Sequence, residues 1–282
     1  MSDKGIGNGA STETAYVFGH SDGELQRLAT QARLIDPITR QFFVEAGIAP
    51  GMRVLDVGSG AGDVAFLAAE LVGQAGAVIG TDRAPRAIAT ARARAKVLAL
   101  SNVSFHEGDP AEMSFDVRFD AIVGRYVLVF SPDPAVMLRK LSRHLRTGGV
   151  IVFHEPDRRG ACSLPPLPTY DLCEHWITET LRLMGNEPRI GLKLYAHFLA
   201  AGMPPPSMSL RAVIGGGADS ADRLHFVADQ VATLLPEMER LGVATSAEVQ
   251  IDTLLDRMTS ELVAGGGVTV GRSEIGAWTY KP

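Results

Sequence analysis

Residues 54–63 read Val54-Leu55-Asp56-Val57-Gly58-Ser59-Gly60-Ala61-Gly62-Asp63, and the fold is decided here. A short apolar run of strand length meets three glycines in five positions, and a helical pattern starts directly behind them. Glycine tolerates positive φ and lets a ligand come close to the backbone. A strand that turns this tightly into a helix places its loop at the carboxyl end of a sheet, beside a helix N-terminus. Open α/β sheets bind ligands there.

Working outward, the alternation repeats. Residues 63–73 read as a helix ending at glycine, 77–81 as a second strand, 85–100 as an Ala/Arg-rich helix, 103–107 as a third strand and 119–123 as a fourth. Asp133-Pro134 opens another helix, with Asp as cap and Pro in the first turn, running to Gly148-Gly149. Residues 150–154 form a fifth strand. Short apolar strands alternating with helices mean a parallel sheet covered on both faces. Upstream, Leu25, Leu28, Ala32, Ile35 and Ile38 recur at helical spacing over 21–45, with Ser21 or Asp22 as cap. Pro37 is expected to divide that stretch into two helices.

After Pro156 the rhythm changes. A proline-rich loop (165–168) leads to helices at 170–184 and 190–201, a sixth strand at 208–214, helices at 220–241 and 246–264, and a closing strand within 267–280. The reading is an α/β fold with a doubly wound, mostly parallel seven-stranded sheet. Residues 1–14 are a disordered tail, 15–48 an N-terminal helical cap and 49–157 the ligand-binding core. Residues 158–205 are a helical lid inserted between strands five and six, and 206–282 the rest of the core sheet.

The glycine spacing discriminates between ligands. A dinucleotide fingerprint wants Gly-x-Gly-x-x-Gly or Ala; counted from Gly58, the third position is Asp63, a carboxylate where a pyrophosphate would lie. The observed pattern suits a ligand without phosphates and with a cationic end. Asp82 closes the second strand, 26 positions after Asp56 (82 less 56), near the ~20-residue offset of a ribose-binding acid. Asp109 follows the third strand, placed to take an adenine amino group. Each acid alone also reads as a cap or turn residue. Three of them at successive strand ends, beside a glycine loop, favour ligand binding.

VLDVGSGAGD, VIGTDRAP, VSFHEGDPAEM, FDAIVGRYVLVF and LRTGGVIVFHEPD, in that order, resemble the motifs of class I, Rossmann-like S-adenosylmethionine-dependent methyltransferases. The likeness is to the actinobacterial small-molecule type and to the methyltransferase domains of ubiquinone and menaquinone biosynthesis. It spans residues 16–157, thins in the insertion and returns over 271–282. It implies that Asp56, Gly58, Ser59, Gly60 and Gly62 wrap the methionine part of S-adenosylmethionine, which leaves as S-adenosylhomocysteine. It also implies that Asp82 and Arg83 hold ribose and flank adenine, that Asp109 and Pro110 meet adenine, and that Arg125 sits near the cofactor carboxylate or the acceptor. The leader Tyr16-Val17-Phe18-Gly19-His20-Ser21 resembles a cofactor-covering segment, with Tyr16 and, on the next helix, Gln31 as contacts.

For catalysis, an acceptor that loses a proton needs a base. Glu155 and His154, after strand five, are the candidates, with Arg125 beside them and His20 in the leader as a third. Glu155 reads either as a carboxylate facing the acceptor or as a loop acid paired with an arginine; His154 reads either as a base or as a satisfied buried histidine. Tyr170, His175, Trp176, Tyr195, His197 and Phe198 in the insertion suit an apolar acceptor pocket or a plain core. Arg158, Arg159, Arg182 and Arg189 face either an anionic acceptor or solvent. Metal-dependent catechol-type enzymes want an Asp after strand four and Asp-Asn after strand five; Gly124-Arg125 and His154-Glu155 stand there, so no metal is expected.

The chain has 282 residues, net charge −5 and no basic stripe, which argues against a nucleic-acid partner. Cys162 and Cys173 fit no zinc or redox spacing, and no signal peptide or membrane-length apolar run is evident. The expectation is a cytoplasmic enzyme that methylates O, N or C of a small natural-product molecule, with homo-oligomerisation left open. A fold relative that binds the cofactor but cyclises or rearranges its substrate, or acts as a binding module, would show the same motifs.

Overall fold

A computed structural model describes the backbone of residues 22–282, and side chains from residue 31 onward apart from Ala218. The expected tail and the leader with Tyr16 and His20 lie outside the described residues.

Five strands follow one another through the first half: β1 (Arg53–Val57), β2 (Ala77–Asp82), β3 (Val103–Glu107), β4 (Phe119–Arg125) and β5 (Leu145–Asp157). The short β6 (Cys162–Leu164), β7 (Ser207–Arg211), β8 (Ile214–Gly216), β9 (Val268–Val270) and β10 (Ser273–Tyr280) come later. The main sheet has the order β3-β2-β1-β4-β5-β10-β7. Its first five strands are parallel, and β10 runs antiparallel between β5 and β7. A separate small sheet has the order β6-β9-β8.

The helices are α1 (Asp22–Glu45), α2 (Asp63–Val72), α3 (Pro85–Val97), α4 (Pro134–Leu141), α5 (Pro168–Leu183), α6 (Ile190–Ala200), α7 (Ala221–Leu241), α8 (Ser246–Val249) and α9 (Ile251–Gly265). Asp133 caps α4 as expected, its side chain accepting from the Val136 amide at 3.0 Å.

Strand side chains alternate between faces, and this sorts the core. Val54, Ala121, Val123, Val150 and Val152 pack with α2, α3 and Phe43 of α1 on one face. Leu55, Val57, Ile122, Ile151 and Phe153 pack on the other with Leu138 of α4 and Ile190, Leu194 and Phe198 of α6. Phe42 of α1 seats on Gly276 of β10, where an added Cβ would meet its ring at 2.5 Å.

Four expectations are corrected. Pro37 does not split α1: the helix continues through it, held by the buried Ile35, Phe42, Phe43 and Ala46. The helix at 134 ends at Leu141, and β5 already starts at Leu145. The helical stretch after 246 breaks at Gln250, which has φ +47, and the closing segment is two strands in two different sheets.

The largest difference concerns the lid. The α6 helix, expected in it, belongs to the sheet, because Ile190, Leu194 and Phe198 form one apolar stripe at i, i+4 and i+8 against β5 and β10. The lid instead joins α5 to α7, α8 and α9 around a core of its own, including Tyr170, Trp176, Ile177, Val227, Leu234, Met238, Leu254 and Met258. Within 206–282, only β7 and β10 belong to the main sheet.

Candidate active site

The loop after β1 is built as its sequence dictates. Gly58, Gly60 and Gly62 have φ of +64°, +51° and +98°. A Cβ on Gly58 would meet Val127 at 2.7 Å and one on Gly62 would meet Phe66 at 2.7 Å, whereas one on Gly60 meets nothing within 4 Å. The two outer glycines therefore serve close packing, and Gly60 faces open space.

Asp82 secures this loop from β2. Its carboxylate accepts from the Gly60 amide at 2.9 Å and the Ala84 amide at 2.8 Å. Ser59 donates its amide to the Thr81 carbonyl at 2.8 Å, and its hydroxyl is buried without a partner.

Asp56 is fully buried, and neither of its oxygens has a hydrogen-bond partner among the described residues. Burial pushes its pKa well up, against the attraction of Arg125 and with repulsion from Asp82 and Asp63. An orphaned carboxyl beside further acids is a place where a cationic ligand is stabilising. Asp63 is less free than its position suggested. It pairs with Arg94 at 2.7 Å, and Arg94 also donates to the Ala61 carbonyl at 2.7 Å. Arg83 and Asp109 are ion-paired across the ends of β2 and β3, and Asp109 also accepts from the Ala111 amide at 2.9 Å. Pro110 is buried beside them. Gln31 lies half-buried on α1.

The side chains expected to do chemistry lie on two different faces. Arg125, His154 and Glu274 fall on the α1 side. Arg125 donates to Asp36 at 2.6 Å and to Thr39 at 3.0 Å. His154 is fully buried, with Nδ1 at 3.1 Å from the Thr39 hydroxyl and Nε2 at 2.9 Å from Glu274. Burial lowers its pKa, only partly opposed by Glu274. With both ring nitrogens engaged, His154 is a satisfied buried histidine and not an open base. Arg125 likewise ties α1 to the sheet.

Glu155, one position on, turns to the other face. Its Oε1 accepts from the Val127 and Leu128 amides at 2.8 and 2.7 Å, and Oε2 has no partner. Burial raises its pKa to about 8 despite the amides. It caps the loop after β4 instead of facing an acceptor. The period of two along β5 is the reason: residues 151, 153 and 155 share the α4 side.

Residues that the sequence reading missed complete the picture. Tyr126 takes φ +57°, a strained conformation for an aromatic residue. The turn brings its hydroxyl to Glu274 at 2.8 Å and its ring under Arg272, whose guanidinium carbon is 4.8 Å from the ring centroid. Arg272 donates to Glu274 at 2.9 Å. Attraction from Arg272, helped by the His154 contact, overcomes burial and holds Glu274 down at about 2. Asp36, Thr39, Arg272 and Glu274 sit in no motif, and Tyr126 lies inside the FDAIVGRYVLVF stretch without a role assigned from it; only their helix or strand phase hints at a shared place.

Between this network and the lid lies a cavity lined by Leu34, Ile35, Phe226 and Val227 together with Arg158, Glu174, Gln230 and Arg272. Of the insertion aromatics, Tyr170 and Trp176 are in the lid core and Phe198 is in the sheet core, while Tyr195 and His175 are exposed. Arg182 is a surface residue paired with Glu179, and Arg189 lies 3.5 Å from Asp157.

Comparison with known proteins agrees with this geometry. Residues 48–186 match the family described as methyltransferase domain. The chain is 35% identical over 157 residues to aklanonic acid methyltransferase of a Streptomyces species, covering 55% of this chain and 70% of that one. It is 34% identical over 129 residues to nocamycin O-methyltransferase of Saccharothrix syringae, covering 45% of this chain but only 46% of the relative. Among solved structures, the YcgJ protein of a Bacillus species aligns with TM-score 0.53 at 20% identity, over 87% of this chain and 97% of its own. The [4+2]-cyclase SpnF aligns with TM-score 0.53 at 19% identity, over 88% and 81%. These two show a shared fold. The chain belongs to the class I S-adenosylmethionine-dependent methyltransferases, and S-adenosylmethionine is its cofactor. No described helix is long and apolar enough to cross a membrane.

Proposed function

We propose that the chain methylates a small-molecule acceptor seated between α1, the lid and the carboxyl ends of β4 and β5. The observation that carries this reading is the mixed cavity between the lid and the network of Arg125, His154 and Glu274, with Glu274 in its lining. The relatives named for aklanonic acid and nocamycin support a small-molecule acceptor.

The residues fit S-adenosylmethionine. The open face of Gly60 leaves room for it, the orphaned Asp56 carboxyl and Ser59 hydroxyl would supply acceptors for its amino acid end, and Asp82, whose oxygens hold the Gly60 and Ala84 amides, would also accept from ribose hydroxyls. Arg83 with Asp109 and Pro110 would border adenine. When bound, the cofactor supplies an activated methyl group, so the chain's task is to orient the acceptor and exclude water. The lid supplies the exclusion, and α1, clamped by Asp36–Arg125 and Thr39–His154, supplies the wall against which the acceptor is held.

The test is a screen of aromatic polyketide and quinone acceptors for S-adenosylhomocysteine release, with the product mass read in parallel. A gain of about fourteen mass units per cofactor consumed is the expected result. A changed product of unchanged mass, with no cofactor consumed, replaces the methyl-transfer reading with cyclisation or rearrangement.

A further inference from the structure

The cavity between lid and core is electrostatically unfinished. Three guanidinium groups line it, Arg158, Arg223 and Arg272, against two carboxylates, Glu174 and Glu274. Glu274 is committed to Arg272, Tyr126 and His154. Arg158 is 8% exposed, and its hydrogen-bond acceptor is the neutral Gln230 amide oxygen at 2.7 Å; Glu174 stands off at 3.8 Å. Arg223 is 3% exposed and makes only long contacts with neutral groups, at 3.2 Å to the Tyr170 hydroxyl, 3.3 Å to Ser220 and 3.4 Å to the Gly215 carbonyl. Its Nε is buried with no partner.

A buried guanidinium normally takes a carboxylate in two parallel hydrogen bonds, and leaving one without an anion is costly. Two such groups converging on one cavity from different elements, the residue after β5 and the first turn of α7, are not needed to hold the lid. The lid has its own apolar core.

We propose that Arg158 and Arg223 form the anchor for a carboxylate group of the methyl acceptor. This rests on the acceptor site described above and adds the charge of what enters it. The free volume beside the arginines is about 20 Å³, room for a water-sized group. The cavity takes the acid head alone, and the body of the acceptor lodges between α1 and the lid helices as they part. Glu174 is the internal stand-in: at 3.8 Å it half-neutralises Arg158 until an acceptor carboxylate arrives.

The experiment is calorimetric titration of the S-adenosylhomocysteine-saturated protein with 2-naphthoate and with its near-isostere 2-naphthamide. The expected result is at least tenfold tighter binding of the acid. Arg223→Gln and Arg158→Gln should each reduce that preference to threefold or less, with S-adenosylhomocysteine affinity retained as the check on folding; if one variant does not fold, the other decides. Equal binding of acid and amide, no binding of the acid at millimolar concentration, or a preference that survives substitution overturns the anchor. Methyl transfer to neutral acceptors would then still uphold the methyltransferase reading, whereas failure of every acceptor to release S-adenosylhomocysteine would count against that reading itself.

Discussion

Replacing Glu155 with Gln separates the charge of this side chain from its capping role. Glu155 is fully buried, and its carboxyl titrates near 8 in the folded chain against 4.5 for the free group. Between those values the folded state keeps a proton that the unfolded state has lost. The contribution of Glu155 to stability is therefore greatest below about pH 4.5 and falls as pH rises towards 8, at about 1.4 kcal/mol per unit. Over pH 5 to 7.5 the loss is about 3 kcal/mol. Glu155→Gln keeps a carbonyl oxygen for the Val127 and Leu128 amides and removes the titration. Urea unfolding at a series of pH values should show the parent losing about 3 kcal/mol relative to the variant over that window, about 1 M in midpoint. Parallel pH profiles, or a parent that gains on the variant as pH rises, would refute the reasoning. Glu155→Ala leaves both amides without their acceptor, at about 1–3 kcal/mol each. It also frees Val127, which packs on Gly58, so S-adenosylhomocysteine should bind it more weakly than it binds the Gln variant.

Asp82→Ala removes the acceptor of the Gly60 and Ala84 amides together with the proposed ribose contact; cofactor affinity by calorimetry should fall at least tenfold, and unchanged affinity ends the assignment. Gly60→Ala should fold with a loss of about 1 kcal/mol for its left-handed backbone yet bind cofactor poorly, while Gly58→Ala, whose Cβ meets Val127 at 2.7 Å, should lose more stability; equal thermal melting of the two would contradict the packing argument. Arg125→Gln breaks the ion pair to Asp36 and should loosen α1, read as faster hydrogen exchange in that helix and a raised KM for S-adenosylmethionine; unaltered exchange would show that α1 is held by its apolar face alone.

The alternation of strand and helix, the glycine turn and the acids at the ends of β1, β2 and β3 were all legible in the sequence, because each is a local pattern with a local physical cause. Glu155 and His154 were legible as a pair but not by role. His154 faces α1 and Glu155 faces α4, and that phase is fixed only once β5 is registered between β4 and β10. The Arg125–Asp36 and Tyr126–Glu274 contacts join residues 89 and 148 positions apart, and no spacing rule reaches that far. Pro37 misled because propensity was weighed without the packing of Phe42 and Phe43, which outweighs one lost hydrogen bond. The α6 helix was misassigned because an apolar stripe shows that a helix is buried but not against which surface.

The lid is assembled from two stretches of chain that leave the sheet and return to it, giving four crossings, after β5, before α6, after β7 and before β10. Its apolar centre draws on both stretches, and Arg33 of α1 joins it through an ion pair to Asp222 of α7 at 3.2 Å. Anyone wishing to give this scaffold a relative's acceptor preference thus faces an all-or-nothing transplant. A chimera that exchanges one stretch inherits half of a mismatched interior, and a chimera that exchanges both carries a pre-packed cassette whose seams fall at one end of the sheet, where β5 and β7 finish and β10 begins.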